Sequence, residues 1–428
     1  MKRIGASRNL GRQSAAITWV MLAVLLLPTL IFYFGISSSM ALGTTFAAAI
    51  ILALASMARP SSRGKRPRPA HPHKVLQMLA ATCALLTLHL ALASFVAPIQ
   101  WTRALASLIP LTLLVAGAAA LARRLDDVPP AALHRALNRC FVVLCIIALL
   151  GSAGVAPPSF QTFTKPVFPF TEPSHFALAF APLLLYVCIT ASGRWRIASL
   201  LAGFALTVFL QNLTLAAACV LATLVSLQIG RTLLLAAVLA LAAAQLDLTY
   251  FALRLDFGAE NQNLSTLVYL QGWQLIEESW RNSAGIGLGF QQLGTQGTDV
   301  DAAQLIQALV GDNLNLLDGG FTFAKLASEF GYLGLMACAA FLWLTGRSAR
   351  ALQRIAAHRA AAHPVEVLAH CAIVSYLLEM FVRGAGYFTA TGLLLATGLW
   401  LLARRRTSTR QARPLTRAAL HLASSLGP

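Results

Sequence analysis

The chain has 428 residues, of which 57% are hydrophobic and 11% are charged, and its mean hydropathy is +0.69. A water-soluble domain of this size could not cover its apolar surface with so few ionisable groups, so a soluble globular protein is excluded. The net charge of +18 does not require a nucleic-acid partner, because the basic residues are divided among short tails and loops, where membrane topology and anionic lipid headgroups explain them.

Twelve apolar stretches of roughly helical membrane length follow one another along the chain, which predicts an all-α, polytopic integral membrane protein. They are residues 15–35, 40–58, 75–97, 104–122, 138–154, 174–191, 197–210, 213–227, 233–246, 325–345, 366–382 and 386–402. This pattern divides the chain into a tail (1–14), nine spans (15–246), one large loop (247–324), three spans (325–402) and a basic tail (403–428).

The charges are distributed unequally between the two sides of these spans. All but six of the 33 Lys and Arg residues lie at alternate connections, whereas most acidic residues lie on the opposite side. The six exceptions are Arg103, Lys165, Arg254, Arg281, Lys325 and Arg383. By the positive-inside rule the basic side is cytoplasmic. We therefore expect a bacterial inner-membrane protein with both termini in the cytoplasm and its chemistry on the acidic, outer side.

The seven cysteines lie in or beside apolar stretches and form no CxxC motif. They are typical of small hydrophobic residues rather than of a disulfide framework or a metal site. The two-acid pattern Asp299-Val300-Asp301 is common by chance in an acidic loop. We expect neither a metal nor another cofactor.

Two outward segments carry most of the candidate chemistry. The loop 247–324 holds most of the acidic residues, is amphipathic at 271–280 and then turns through closely spaced glycines, which predicts a folded cap. The shorter segment 154–173 ends in the sequence FTEPSHFALAF. A helix that begins at Pro173 or its neighbours would direct free backbone N–H groups to the outer side, where they suit a phosphate.

Three segments together resemble the O-antigen ligase and polymerase family, the Wzy-type enzymes that join lipid-linked oligosaccharides. They are 172–182 (EPSHFALAFAP), 273–290 (WQLIEESWRNSAGIGLGF) and 323–343 (FAKLASEFGYLGLMACAAFLW). In that family about twelve membrane helices carry one large periplasmic loop, followed by an acidic-x-Gly-x-x-Gly pattern that Glu329, Gly331 and Gly334 match here. The resemblance covers roughly residues 172–402. It implies a glycosyltransferase that polymerises polyprenyl-pyrophosphate-linked repeat units at the periplasmic face.

The implied donor, an undecaprenyl-pyrophosphate-linked glycan, needs cations that hold its phosphates. Arg281, Lys325 and Arg383 are the candidate pyrophosphate- and glycan-binding residues, because a charge that faces lipid costs several kcal/mol unless it is paired or functional. Arginine grips phosphate oxygens with a planar fork and stabilises a departing pyrophosphate. The alternatives are an interfacial anchor for Arg383 and a solvated loop residue for Arg281.

The acceptor hydroxyl needs a group that takes its proton. The family carries a His-Asn pair shortly before the acidic-x-Gly pattern, but this chain has Gly320 and Phe321 there. Asp318 is one candidate substitute, and the outward pair of Glu172 and His175 is another, because histidine titrates near neutrality. Alternatively, Glu172 caps the helix and His175 only packs. We expect Glu329 to pair with a Lys or Arg, as buried intramembrane acids do.

Two other functions compete with a polymerase. A ligase that moves a finished glycan onto lipid A or a protein would use the same donor, but the missing His-Asn pair favours a polymerase. A flippase or exporter would place charges along a path between its helices, whereas these helices are nearly free of charge. The expected partners are membrane lipids, a chain-length regulator and a flippase, without nucleic acid.

Overall fold

The computed structural model describes residues 2–36, 39–57, 72–155, 167–258, 262–358 and 362–406. Across these ranges the protein consists of helices and their connections, without a strand, so the predicted all-α class is confirmed there. Lys165, most of the basic loop between the second and third spans, and residues 407–428 of the basic tail lie outside the described residues.

The helices follow the predicted apolar stretches closely in chain order. The first nine are α1 (Lys2–Tyr33), α2 (Met40–Met57), α3 (Pro72–Ala93), α4 (Trp101–Ala106), α5 (Leu108–Asp126), α6 (Pro130–Ser152), α7 (Pro173–Thr190), α8 (Gly193–Phe209) and α9 (Leu213–Ser226). The next are α10 (Ile229–Ala243), α11 (Thr249–Leu255), α12 (Leu264–Ser283), α13 (Asp301–Val310), α14 (Thr322–His358), α15 (Pro364–Phe381) and α16 (390–406). Eleven of the twelve predicted stretches each overlap one of these helices, and the stretch 104–122 is divided between α4 and α5.

Within the described residues, eight segments are long and apolar enough to cross a membrane. They are Leu10–Tyr33, Met40–Met57, Val75–Ala93, Trp101–Asp126, Pro130–Ser152, Pro173–Thr190, Thr322–His358 and Pro364–Phe381. This architecture is compatible with a polytopic membrane protein. Helices α9 and α10 are apolar but have only 14 and 15 residues, fewer than the roughly 20 that a span needs. The number of twelve spans therefore stays a prediction.

Helices α7 and α15 form the centre of the molecule. In the apolar segment of each helix 72% of the residues are buried inside the protein, compared with 11% in the apolar segment of α3. Their interior sides carry large side chains such as Phe176, Phe180 and Tyr376, so they are buried by neighbouring helices rather than by lipid. The start of α7 meets the end of α15, which makes the two helices antiparallel neighbours.

The large loop 247–324 is folded in its described parts, residues 247–258 and 262–324. It contains α11, α12 and α13, and Leu267, Val268 and Ile306 form a small core between α12 and α13. The indole N–H of Trp280 donates to the carbonyl of Ala327 in α14 at 3.0 Å. The loop is thus attached directly to the first turns of α14.

The glycines of this loop pack against the backbone of α14 where Gly331 interrupts the helix. Gly331 has φ 52° and ψ −127°. Three backbone hydrogen bonds join the two segments: Leu288 N–H to Ser328 O at 3.0 Å, Gly289 N–H to Glu329 O at 2.8 Å, and Tyr332 N–H to Gly285 O at 3.0 Å. A Cβ atom on Gly331 would lie 1.9 Å from the Gly285 carbonyl oxygen. Only glycine fits there, because both the positive φ and the close approach exclude a side chain.

Candidate functional site

Glu172 and Arg383 meet where α7 begins and α15 ends. Helix α7 starts at Pro173, which confirms the predicted helix start, and Glu172 occupies the N-cap position with extended backbone. The Arg383 Nη2 donates to both carboxylate oxygens of Glu172, at 2.9 and 3.2 Å. The hydroxyl of Ser174 donates to the same carboxylate at 2.8 Å. The Glu172 side chain makes no capping hydrogen bond, so its carboxylate orients the arginine instead of closing the helix.

The electrostatics of this pair keep Glu172 ionised. Partial burial raises the pKa of the Glu172 carboxyl. The positive charge of Arg383, that of the protonated form of His175, and the hydrogen bonds from Ser174 and Arg383 together outweigh the burial and lower this pKa to about 2. The Glu172 side chain is 46% exposed, whereas that of Arg383 is 15% exposed. A fixed, ionised carboxylate therefore holds a largely buried guanidinium at the start of α7.

The segment that follows Arg383 lies against the end of the large loop. The N–H of Gly384 donates to the carbonyl of Gly320 at 2.8 Å. A Cβ atom on Gly386 would lie 2.6 Å from the Asp318 Oδ1, so only glycine allows this approach. The structure thus places Arg383 and Asp318, predicted separately from the sequence, on two segments that are in direct contact.

Lys325 is buried beneath the contact between Asp318 and Gly386. The Lys325 side chain is 1% exposed, and its Nζ lies 3.3 Å from Asp318 Oδ1 and 3.4 Å from Glu329 Oε1. It also donates to the carbonyl of Leu317, and the ring centroid of Tyr387 lies 5.4 Å away. The prediction that Glu329 pairs with a cation is confirmed. Two carboxylates compensate the charge of Lys325. This geometry favours a role for Lys325 in positioning Asp318 and disfavours a role in binding phosphate.

Glu329 also holds the glycine loop in place. Its carboxylate accepts hydrogen bonds from the backbone N–H groups of Gln291 at 2.9 Å and Leu293 at 3.3 Å. The residue is fully buried. Hydrogen bonds from backbone N–H groups to a buried carboxylate are charge-assisted and strong. The acidic-x-Gly-x-x-Gly pattern therefore has a structural explanation: its acid binds the loop backbone, and its first glycine allows the loop to approach.

Some buried polar atoms around the Glu172–Arg383 pair have no hydrogen-bond partner in the protein. They are His175 Nδ1 and Arg383 Nε. His175 lies in the first turn of α7, close enough for its protonated form to act on Glu172. Buried polar atoms are normally paired, and an exception requires an explanation. A polar ligand at this point would provide the missing partners.

Glu379 is a buried acid of α15 to which the sequence assigned no role. Its side chain is fully buried within the apolar helix α15, and its second carboxylate oxygen accepts a hydrogen bond from Thr391. An acid inside an otherwise apolar span is itself a signal of function. The sequence LLEMFVRGAGYF contains that signal. The sequence does not show that Thr391 contacts Glu379.

The structure does not join Arg281 to the other candidates. Its guanidinium pairs with Glu277 one turn earlier on α12, and the two side chains are 74% and 63% exposed. This geometry favours the alternative in which Arg281 is a solvated loop residue. No group of three or more His, Cys, Asp or Glu side chains in the described ranges is arranged to hold a metal ion.

The sequence matches no family model, and no curated protein matches it at a significant level.

Proposed function

We propose that the protein is a membrane glycosyltransferase that polymerises polyprenyl-pyrophosphate-linked oligosaccharide repeat units at the outer face of a bacterial inner membrane. The observation that carries this proposal is the guanidinium of Arg383, which Glu172 holds from one side while its Nε keeps no partner in the protein. Cations are sparse on this acidic side of the molecule. An oriented arginine there suits a phosphate ligand.

In the proposed reaction Arg383 binds the pyrophosphate of the donor. The glycosyl–phosphate bond breaks as the acceptor sugar attacks, and negative charge develops on the departing pyrophosphate. A preorganised cation at that point stabilises the transition state more than the ground state, which is the condition for catalysis. Glu172 acts as a positioning residue, since its ion pair holds the Nη2 atom of Arg383 in place before the donor binds.

His175 is the group that best fits the role of proton acceptor. Its Nδ1 lies in the first turn of α7 without a hydrogen-bond partner, so it can take the proton of the acceptor hydroxyl as the hydroxyl oxygen attacks the donor sugar. Asp318 is the alternative acceptor. Its carboxylate is 39% exposed but already engaged by Lys325, which favours His175.

The proposed setting follows from the charge distribution along the sequence. The basic connections lie in the cytoplasm with both termini, and the loop that contains α11 to α13 lies in the periplasm. In this position the enzyme would work on lipid-linked units delivered by a flippase and would be accompanied by a chain-length regulator. No nucleotide sugar is available on that side, so the donor has to carry its own leaving group.

Purified protein in liposomes, supplied only with undecaprenyl-pyrophosphate-linked oligosaccharide, tests this function. We expect a ladder of longer lipid-linked chains on a gel, and no ladder from Arg383→Ala at equal protein level. Transfer that occurs only after lipid A or a protein acceptor is added would identify a ligase instead. Movement of the substrate across the bilayer without any new glycosidic bond would identify an exporter and overturn the proposal.

A further inference from the structure

A cavity of about 320 Å³ lies at the opposite end of α7 from Glu172, among the starts of α8 and α10, the end of α9 and the last turns of α14. Its lining includes Gly193, Arg196, Ser226, Gln228, Arg231 and Gln353. Among the described residues that line it, none is acidic. The cavity lies on the basic side of the protein and is separate from the site proposed for glycosyl transfer.

Arg196 sets the sign of the local field. The residue is 8% exposed, and its guanidinium donates to the carbonyl of Ser226 at 2.8 Å and approaches that of Ile189 at 3.5 Å. These carbonyls belong to the last turns of α7 and α9, where helices carry partial negative charge. The positive charge of Arg196 therefore compensates the partial negative charge of these two helix ends. The remaining electrostatic potential beside the cavity is positive.

Two positive helix ends face the same space. Helix α8 begins at Gly193 and α10 follows Gln228, and neither start carries a side-chain cap. The first backbone N–H groups of a helix have no partner within the helix and bind anions well. Arg231, in the first turn of α10, adds an exposed guanidinium to the lining.

Ser226 gives an independent indication of a ligand. The residue is 3% exposed and lines the cavity, and its hydroxyl has no hydrogen-bond partner in the protein. Leaving a buried hydroxyl unpaired costs free energy. A phosphate oxygen in the cavity would accept a hydrogen bond from this hydroxyl as well as from the helix starts and Arg231.

The surroundings of the cavity favour a lipid over a soluble anion. Along α10, Ile229 is 75% exposed and Leu233 is 63% exposed, so an apolar surface leads away from the phosphate position. The part of α14 that follows the break at Gly331 runs to His358, about 40 Å of helix, and so exceeds the hydrocarbon core of about 30 Å. Its final turns, which include Gln353, thus lie near the level of the lipid headgroups.

We propose that this cavity binds the phosphate of an anionic phospholipid, with the acyl chains against the exposed apolar face of α10. The headgroup phosphate contacts the starts of α8 and α10, the Ser226 hydroxyl and Arg231. Basic pockets between membrane helices on the cytoplasmic side are suited to such headgroups. The site would tie the short helix α10 to the rest of the bundle through a lipid.

The test uses the full-length protein in neutral detergent, titrated with phosphatidylglycerol while its melting temperature is followed. We expect a saturable rise with phosphatidylglycerol, and little change with phosphatidylcholine or inorganic phosphate. Arg231→Gln should weaken the apparent affinity for phosphatidylglycerol about tenfold, as the loss of one charge-assisted hydrogen bond would. Ser226→Ala should weaken it by a smaller factor.

Arg135→Gln is the matched control, since Arg135 is an exposed arginine on the same side that does not line the cavity. It should leave the titration unchanged. Equal weakening by Arg135→Gln and Arg231→Gln would show nonspecific attraction by surface charge and overturn the proposal. If inorganic phosphate alone raised the melting temperature and Arg231→Gln abolished that rise, the cavity would be a site for free phosphate rather than for a lipid, and the proposal would be overturned. Because none of these three substitutions touches the Glu172–Arg383 site, failure of this test does not bear on the proposed activity.

Discussion

The guanidinium of Arg383 lies 2.9 Å from the carboxylate of Glu172, although 211 residues separate the two in the sequence. The pair forms because α7 begins and α15 ends on the same face of the bundle. It joins two segments, EPSH and RGAGYF, whose candidate roles were separate in the sequence. The first three predictions concern the groups that this pair brings together.

Arg383→Lys should be nearly as damaging as Arg383→Ala. Lysine keeps the positive charge but loses the planar fork that binds Glu172 and a phosphate at the same time. We expect polymer formation to fall about 100-fold or more, the usual loss when one stabilising donor is removed. Polymer length on a gel, with protein level measured by blot, is the readout. Arg350→Lys on the basic face is the control, and normal polymer from Arg383→Lys would leave Arg383 as an interfacial anchor.

His175→Ala should abolish polymer and leave single lipid-linked units, while the protein inserts at its normal level. The reason is that His175 Nδ1 has no structural partner to lose, whereas it is the proposed acceptor of the hydroxyl proton. Asp318→Asn should be mild by comparison. A silent His175→Ala together with an inactive Asp318→Asn would move the proton acceptor to Asp318, and normal polymer from both would leave catalysis to Arg383.

Glu172→Gln should lower the melting temperature at pH 7, and the difference from wild type should disappear in acid. The folded state lowers the pKa of Glu172 from 4.5 to about 2, so this carboxylate stabilises the fold above pH 4.5. That contribution is lost as the pH falls through about 2. Melting curves of both proteins between pH 7 and pH 2 measure it. Glu277→Gln, at an exposed ion pair, should show little difference at any pH, and a pH-independent effect of Glu172→Gln would contradict the ion-pair explanation.

Gly331→Ala should destabilise the protein strongly, whereas Gly346→Ala on the same helix should be neutral or slightly stabilising. A Cβ at Gly331 would meet the Gly285 carbonyl at 1.9 Å with φ at 52°, but nothing lies within 4 Å of a Cβ at Gly346. Strain of this kind costs about 1–3 kcal/mol, and the clash adds a similar amount. Thermal melts in detergent compare the two variants. Equal stability would show that the loop and α14 do not pack as described.

A reporter fused after Arg350 should be cytoplasmic, and one inserted near Gly297 should be periplasmic. The expectation rests on the concentration of Lys and Arg at alternate connections. Paired activity reporters at each position, with expression checked, give the answer. A cytoplasmic signal near Gly297 would place the large loop where nucleotide sugars are available and would remove the basis for a lipid-linked donor.

The sequence by itself determined the features that depend on neighbouring residues. Hydropathy predicted the helical class and the position of each apolar stretch. A membrane-spanning helix needs about 20 consecutive apolar residues, and such a run is visible in the amino-acid composition of the segment. The Glu-Pro pair predicted the start of α7 at Pro173, since proline favours the first helical turn. Glu329 was expected to need a cation, and Lys325 lies one helical turn away.

Only the tertiary structure decided which of the separate candidates form one site. Arg383 and Arg281 look alike in the sequence, yet one is held by Glu172 and the other is 74% exposed on α12. Lys325 was a candidate for phosphate binding, but packing buries it between two carboxylates. The physical reason is that burial and ion pairing between distant segments depend on how helices pack, and the spacing of residues along one chain does not specify that packing.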